Sequence, residues 1–223
     1  EAFDYIRRDE RITDVVVVSP SDALDQFQSI RRIVATLQEI AHVNAVRLRS
    51  RAFNHSPHRF TPAAIDGLAG LNRLTMVNPQ RLEIETGFLT ADQVRSEHGR
   101  LARRLGNRGI TVYNNTPLLG RINDTADAIH ELAYACRTAG IEFHQLYIAG
   151  LPVQERWNRD FPVDLYDVVD IATRVRRDGS GREIPRYMIA TVIGEVDFGL
   201  SGTIMGNPGS SDLSVKLLPY DLA

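Results

Sequence analysis

Short β-branched apolar runs alternate with amphipathic stretches from residue 12 to residue 193, and this alternation limits the chain to an α/β architecture with parallel strands. Residues 12–18 read Ile-Thr-Asp-Val-Val-Val-Val. So continuous an apolar run suits a strand covered by helices rather than one with a wet face. Residues 19–22, Ser-Pro-Ser-Asp, then turn the chain. The spacing of Phe27, Ile30, Val34, Leu37 and Ala41 predicts a helix over 25–41 with one buried stripe. Residues 43–48 are the next strand, and Thr61-Pro62 opens a helix with a capping hydroxyl and a proline that lacks only a dispensable amide. Two segments, 74–77 and 82–85, both look extended, and the second is the expected strand. A helix over 91–105 carries Val94, His98, Leu101 and Leu105 on one face.

Later units repeat the pattern. Residues 110–113 are a strand, and Asp124 is expected to cap a helix that buries Ile129, Leu132, Ala133 and Cys136 and ends at Gly140. A strand over 141–148, a helix over 163–177 and a strand over 187–193 follow. About six strands joined by helices imply right-handed parallel units. An open doubly wound sheet and a curved barrel share this alternation, so periodicity does not choose between them. After Gly194 the texture changes: 199–214 is rich in Gly and Ser, and 215–218 reads as a short strand. The expected organisation is a core over 1–198 and a Gly/Ser-rich C-terminal segment with a short terminal strand over 199–223.

The charge balance removes several classes of function. The formal net charge is -2, with no cluster of Lys and Arg of the kind that phosphate backbones require, so no nucleic-acid partner is expected. No apolar run reaches membrane-spanning length, and a cytoplasmic protein without a membrane partner is the expectation. The single cysteine, Cys136, excludes an internal disulfide and a cysteine-only metal site, and its place on an apolar helix stripe makes it a core residue. The two glycosylation sequons, at 114–116 and 123–125, are expected to be chance matches, since no signal-peptide pattern is read in these residues.

In either parallel architecture ligands gather beyond the carboxyl ends of the strands. The corresponding loops are 19–22, 49–58, 85–88, 114–120, 149–156 and 194–198. Asp22 can hold an ammonium group or cap the following helix, or do both. Arg47, Arg49 and Arg51 share a face while the strand persists, and Arg51, nearest the loop, suits a carboxylate; a salt-bridged row is the plainer alternative. His55 and His58 lack the third ligand that a zinc site needs. Glu83 and Glu85 point the same way, toward a cationic ligand end if inward and toward solvent if outward. Asn115 and Thr116 offer amide and hydroxyl groups at a strand end, although Asn-Asn-Thr-Pro is also ordinary turn chemistry. No glycine-rich phosphate loop, hydrolase nucleophile elbow or metalloprotease helix motif is present.

Read together, Asp-Tyr-Ile-Arg at 4–7, the run at 13–24, Glu-Ile-Ala-His-Val at 39–43, Val-Arg-Leu-Arg-Ser-Arg at 46–51 and Leu-Leu-Gly-Arg-Ile-Asn-Asp at 118–124 resemble the lysine 2,3-aminomutase family of radical S-adenosylmethionine enzymes. The resemblance implies a partial (β/α)6 barrel whose N-terminal cluster-binding part is missing from the chain, with [4Fe–4S] ligands expected upstream of Glu1. It implies an aminomutase-like isomerase that acts on an amino acid or amine-bearing metabolite through a 5′-deoxyadenosyl radical. It assigns Asp22, Asn115 and Thr116 to S-adenosylmethionine and Arg51 to the substrate carboxylate, and it leaves Glu83, Glu85, Glu195 and Asp197 to shape a cationic substrate pocket. An external electron donor would be a partner, and a homo-oligomer is allowed.

The chain departs from the family pattern in two loops. Pro20-Ser21 replace two glycines, which removes a backbone donor and narrows the accessible backbone angles. Glu195 stands nearest the position of the lysine that anchors pyridoxal phosphate, so this cofactor remains open. Three alternatives stand beside the leading expectation: a family member with a different radical reaction and no pyridoxal phosphate, a degenerate noncatalytic binding or scaffold protein, and a conventional parallel-sheet enzyme using Asp22 and Arg51.

Overall fold

The computed structural model describes residues 1–75, 79–192 and 194–197, together with the backbone of 202–206 and 213–217. The chain divides into two compact units, residues 1–87, 94–113 and 138–142 in the first and 88–93, 114–137 and 143–223 in the second.

The first unit contains α1 (Ala2–Arg8), β1 (Asp14–Val17), α2 (Phe27–Leu37), β2 (Ala45–Arg49), α3 (Ala52–His55), α4 (Pro62–Ala69), β3 (Arg81–Thr86) and α5 (Ser96–Gly106). β1 pairs with β2 and β2 with β3, all parallel, in a register that sets Val16 beside Arg47, Arg47 beside Glu83 and Arg49 beside Glu85. Alternation along β2 sends Val46 and Leu48 into the core and Arg47 and Arg49 to the other face. Ile30, Val34 and Leu37 form the buried stripe of α2, as their spacing requires. Thr61 caps α4 by accepting from the Ala64 amide at 3.2 Å. Of the two extended candidates, 82–85 lies within β3; 74 and 75 are not strand, and 76–78 fall outside the described residues.

The strand β4 (Thr111–Pro117) begins in the first unit and ends in the second. The second unit continues with α6 (Ala126–Ala139), β5 (Glu142–Ala149), α7 (Pro152–Trp157), α8 (Leu165–Asp178), β6 (Arg186–Thr191), β7 (Gly194–Asp197), β8 (Gly202–Gly206) and β9 (Leu213–Leu217). β5 and β6 are parallel, β6 and β7 antiparallel, and β8 and β9 form a separate antiparallel pair. Ile129, Leu132, Ala133 and Cys136 are buried on α6, and Val168, Ile171, Ala172 and Val175 on α8. At Gly150, with φ at 94°, a Cβ would stand 1.9 Å from the Ala190 carbonyl oxygen, so only glycine lets the chain leave β5 beside β6.

Three local expectations change. β4 runs through Pro117, so Asn115 and Thr116 belong to a strand rather than a loop. The expected loop at 194–198 is largely β7, with Phe198 outside the described residues. The cap of α6 is Thr125, whose hydroxyl accepts from the Ala128 amide at 3.2 Å; Asp124 instead accepts from the Arg121 amide at 2.8 Å and braces the preceding turn. The strand expected over 187–193 is β6, ending at Thr191, and Ile193 is outside the described residues. Of the C-terminal segment 199–223, only the backbones of β8 and β9 are described. Among the described residues no helix is long and apolar enough to cross a membrane.

Candidate functional site

In the first unit, Asp22 follows the turn after β1 and is 5% exposed. Its Oδ1 accepts from the Leu24 amide at 2.9 Å, which caps the short helical turn at Ala23–Gln26. The Ser50 hydroxyl lies 3.1 Å from both carboxylate oxygens, and the Ala52 amide donates to Oδ2 at 2.9 Å. The carboxylate therefore grips the chain on both sides of Arg51, fixing the turn at the end of β2. Arg51 itself is exposed, and no described residue forms a hydrogen bond or ion pair with its side chain. A fixed turn that presents a free guanidinium is suited to bidentate capture of a carboxylate. The capping reading of Asp22 holds, and the same bonds leave it little capacity for a ligand ammonium.

The turn is braced from below. Asn54 Oδ1 accepts from the Thr86 hydroxyl and from the Gly87 amide, the latter at 3.3 Å. The Asn54 carbonyl oxygen lies 3.1 Å from His98 Nε2, and His98 Nδ1 accepts from the Arg95 amide at 2.9 Å. That second bond places the proton on Nε2, so the neutral ring donates to Asn54. Burial lowers the His98 pKa below its ordinary 6.5.

Glu83 and Glu85 face Arg47 and Arg49 across β2 and β3. Arg47 donates to Glu83 Oε2 through Nε at 3.1 Å and Nη2 at 2.9 Å, and its guanidinium lies 4.6 Å from the centre of the Tyr113 ring. Arg49 Nε donates to Glu85 Oε1 at 2.5 Å. Both carboxylates are nearly buried, and the arginines supply the charge that makes this burial tolerable. Desolvation raises the Tyr113 pKa, with the Glu83 charge adding to the effect. On the outer side of the β1 end, Val17, Val18, Pro20 and the α2 residues Ile30 and Ile33 line a groove of about 550 Å³. Ser19 Oγ, in the same wall, is buried and has no hydrogen-bond partner.

In the second unit, successive β4 residues point to opposite faces. Thr116 is fully buried, donates to the Phe88 carbonyl at 2.8 Å and accepts from Asn114 Nδ2 at 2.7 Å. Asn114 Oδ1 in turn accepts from the Phe88 amide at 2.6 Å. Thr116 thus holds the strand to the 88–93 segment. Asn115 points the other way, and its buried Oδ1 has no hydrogen-bond partner. Asp197 pairs with Arg186 at 3.3 Å. Glu195 accepts from the Tyr147 hydroxyl at 2.5 Å, and Gln145 lies beside both. Sequence reasoning missed Ser50, Gln145 and Tyr147. The alternation of β5 could have placed Gln145 and Tyr147 on one face, but nothing local pointed to Glu195 as their partner.

The residues present fit the implied cofactors unequally. Ser19 Oγ and Asn115 Oδ1, each buried and unsatisfied, are the kind of group that a polar ligand such as S-adenosylmethionine would complete. Cys136 cannot serve an iron–sulfur cluster: it is buried in α6, and desolvation pushes its thiol up to about 12, whereas a ligand must be a thiolate. Among the described residues no group of three His, Cys, Asp or Glu side chains could hold a metal, which includes His55 and His58. Covalent pyridoxal phosphate does not fit at Glu195, because a carboxylate forms no imine and repels a phosphate.

No family model matches the chain. It is 25% identical over 189 residues to L-lysine 2,3-aminomutase of Clostridium subterminale, covering 85% of this chain and 43% of that protein. It is also 25% identical over 189 residues to glutamate 2,3-aminomutase of Clostridioides difficile strain 630, covering 85% and 42%. With L-lysine 2,3-aminomutase of Escherichia coli K12 it shares 21% over 216 residues, covering 97% and 56%. The chain thus spans about half the length of these relatives. The crystal structure of a radical SAM methyltransferase from Sphaerobacter thermophilus matches with a TM-score of 0.52 at 16% identity, covering 81% of this chain and 52% of that one. These matches establish a distant, consistent kinship with the 2,3-aminomutases and an α/β fold related to that of radical SAM proteins.

Proposed function

We propose that this chain is a partial (β/α)6 barrel segment of a radical S-adenosylmethionine enzyme acting on an amino acid or amine-bearing metabolite. The observation that carries the reading is the exposed, unpaired Arg51 on a turn gripped by Asp22, in a chain akin to enzymes of amino acids. Arg51 binds the substrate carboxylate, and Asp22 positions Arg51 by holding Ser50 and Ala52. Asn115, with its unmet amide oxygen, contacts S-adenosylmethionine, and Thr116 keeps that part of β4 in place from the opposite face. Glu83 and Glu85 shape the wall as neutral Arg–Glu pairs rather than as free anions. When bound beside a reduced [4Fe–4S] cluster, whose ligands this reading expects upstream of Glu1, S-adenosylmethionine supplies a 5′-deoxyadenosyl radical. With Glu195 near the anchor position, the reaction does not depend on an imine to pyridoxal phosphate.

The test is anaerobic reconstitution of the full-length protein with iron and sulfide, followed by measurement of 5′-deoxyadenosine. Formation of 5′-deoxyadenosine, stimulated by an amino acid in wild type but not in Arg51→Met, supports the reading. Full iron incorporation with no cleavage removes it. A noncatalytic binding protein is the second reading, favoured by the engagement of Asp22 in internal bonds from Leu24, Ser50 and Ala52. It expects retained amino-acid binding without cleavage.

A further inference from the structure

We propose that Glu195, held by Tyr147 and Gln145, is the recognition site for a free primary ammonium group. The inference rests on the reading that the protein takes an amine-bearing small molecule, and it selects one carboxylate out of four. Glu83, Glu85 and Asp197 are each neutralised by an arginine, at 2.9, 2.5 and 3.3 Å. No described Arg, Lys or His lies within ion-pairing reach of Glu195, and its side chain is exposed.

The geometry around Glu195 is that of a prepared anion. The β6–β7 register sets Glu195 beside Ala190 and Asp197 beside Met188, while the β5–β6 register sets Tyr147 beside Met188 and Gln145 beside Arg186. Glu195, Tyr147 and Gln145 therefore share one sheet face, with the small Ala190 beside Glu195 in the register. Tyr147 is 4% exposed, and its hydroxyl lies 2.5 Å from Glu195 Oε1 and 2.9 Å from the Gln145 side-chain amide. A phenol has one hydrogen, which goes to the carboxylate; the amide, turned with its nitrogen toward the phenol oxygen, satisfies the rest. Gln145 and Tyr147 thus form a donor relay that fixes Glu195 Oε1. With the amide so turned, it is its oxygen that stands 3.5 Å from Glu195 Oε2; that oxygen donates nothing, and Oε2 keeps its lone pairs for an outside donor.

The ligand chemistry follows from this arrangement. A primary ammonium is a compact cation with three donors, matched to one fixed carboxylate oxygen and nearby polar acceptors. A phosphate-bearing aldehyde meets the wrong charge at Glu195, and a carboxylate forms no imine with it. Tyr147 and Gln145 are positioning residues, since they act through Glu195.

The experiment titrates the full-length protein with n-pentylamine and with the uncharged, one-carbon-longer alcohol 1-hexanol, following ligand NMR line broadening. Saturable pentylammonium binding without hexanol binding is expected. Glu195→Gln weakens it by about tenfold or more, and Tyr147→Phe by about threefold, as loss of a charged contact and of a supporting hydrogen bond. Glu131→Gln, an exposed carboxylate on α6, leaves it unchanged. Thermal melts accompany each variant, and if Tyr147→Phe unfolds, the exposed Glu195→Gln carries the test alone. Equal binding by wild type and Glu195→Gln, equal binding of hexanol, or no saturable amine binding overturns the inference. The S-adenosylmethionine cleavage assay, run in parallel, separates the two failures. Cleavage without an ammonium site removes only this inference, whereas an ammonium site without cleavage removes the radical reading and leaves Glu195 in its role.

Discussion

The carboxylates between β2 and β3 and the carboxylate on β7 sit in opposite chemical circumstances. In the first unit each inward glutamate has an arginine at the same register level, Glu83 opposite Arg47 and Glu85 opposite Arg49. In the second, Glu195 stands opposite Ala190 and is held by a phenol. The paired glutamates are nearly buried, and their charge is spent inside the protein; Glu195 is exposed with its charge intact. A cross-strand partner therefore decides what a glutamate on a sheet face is for: with an arginine it builds the wall, and with a neutral donor it offers a charge.

The sharpest way to break this comparison is to remove an arginine. Arg47→Met leaves the buried Glu83 carboxylate with only Arg81, 3.9 Å away, as a counterion and is expected to cost about 3 kcal/mol in urea unfolding. The double variant Arg47→Met/Glu83→Leu is expected to recover most of that loss. A cost for Arg47→Met below about 1 kcal/mol would show that Arg81 or water, rather than Arg47, neutralises Glu83. Asp22→Ala comes next, at about 2 kcal/mol for a lost cap and two further bonds to a buried carboxylate. Under the proposed role of Arg51, it should also weaken carboxylate binding, read as a rise in KM for an amino acid with little change in kcat. Glu195→Gln is expected to change stability by less than about 0.5 kcal/mol, as an exposed site should. Any larger loss would place Glu195 with the structural pairs.

The smallest effect expected is one of pH. His98 has its folded pKa lowered by burial, so the unfolded chain binds the proton more readily. Its contribution to stability is present above the unfolded value of 6.5 and is lost as pH falls through the lower folded pKa. Tm of the wild type should drop more steeply below that value than Tm of His98→Gln. Parallel curves would mean that His98 titrates alike in both states.

Local chemistry was legible in the sequence wherever a residue acts on its own neighbours. Asp22 before a short helical turn and Thr61 before Pro62 cap as their side-chain oxygens dictate. The expected strand at 82–85, where apolar residues alternate with glutamates, lies within β3. Decisions made by distant partners were not legible. Asn115-Thr116-Pro117 has turn composition, yet the segment stays extended, and the next residue continues the ladder, the Leu118 amide donating to the Tyr147 carbonyl at 2.8 Å. Asp124 and Thr125 are equally good caps on paper. The positive φ of 62° at Arg121 draws Asp124 into bracing the turn and leaves α6 to Thr125. Parity put Arg47 with Arg49 and Glu83 with Glu85, but only the strand register could join the two pairs. Gln145 and Tyr147 escaped notice because β7, which brings Glu195 to them, lies where a loop was expected.

One carboxylate, that of Asp22, secures the amides of Leu24 and Ala52, which are far apart in the chain. Neither bond can open for long without disturbing the group that holds the other. Their deuterium uptake should report a single opening equilibrium, with matched protection at both sites. Under the role proposed for Arg51, the same shared anchor means that an incoming carboxylate would meet an arginine whose backbone has already surrendered its freedom, so less order would have to be created at the moment of capture.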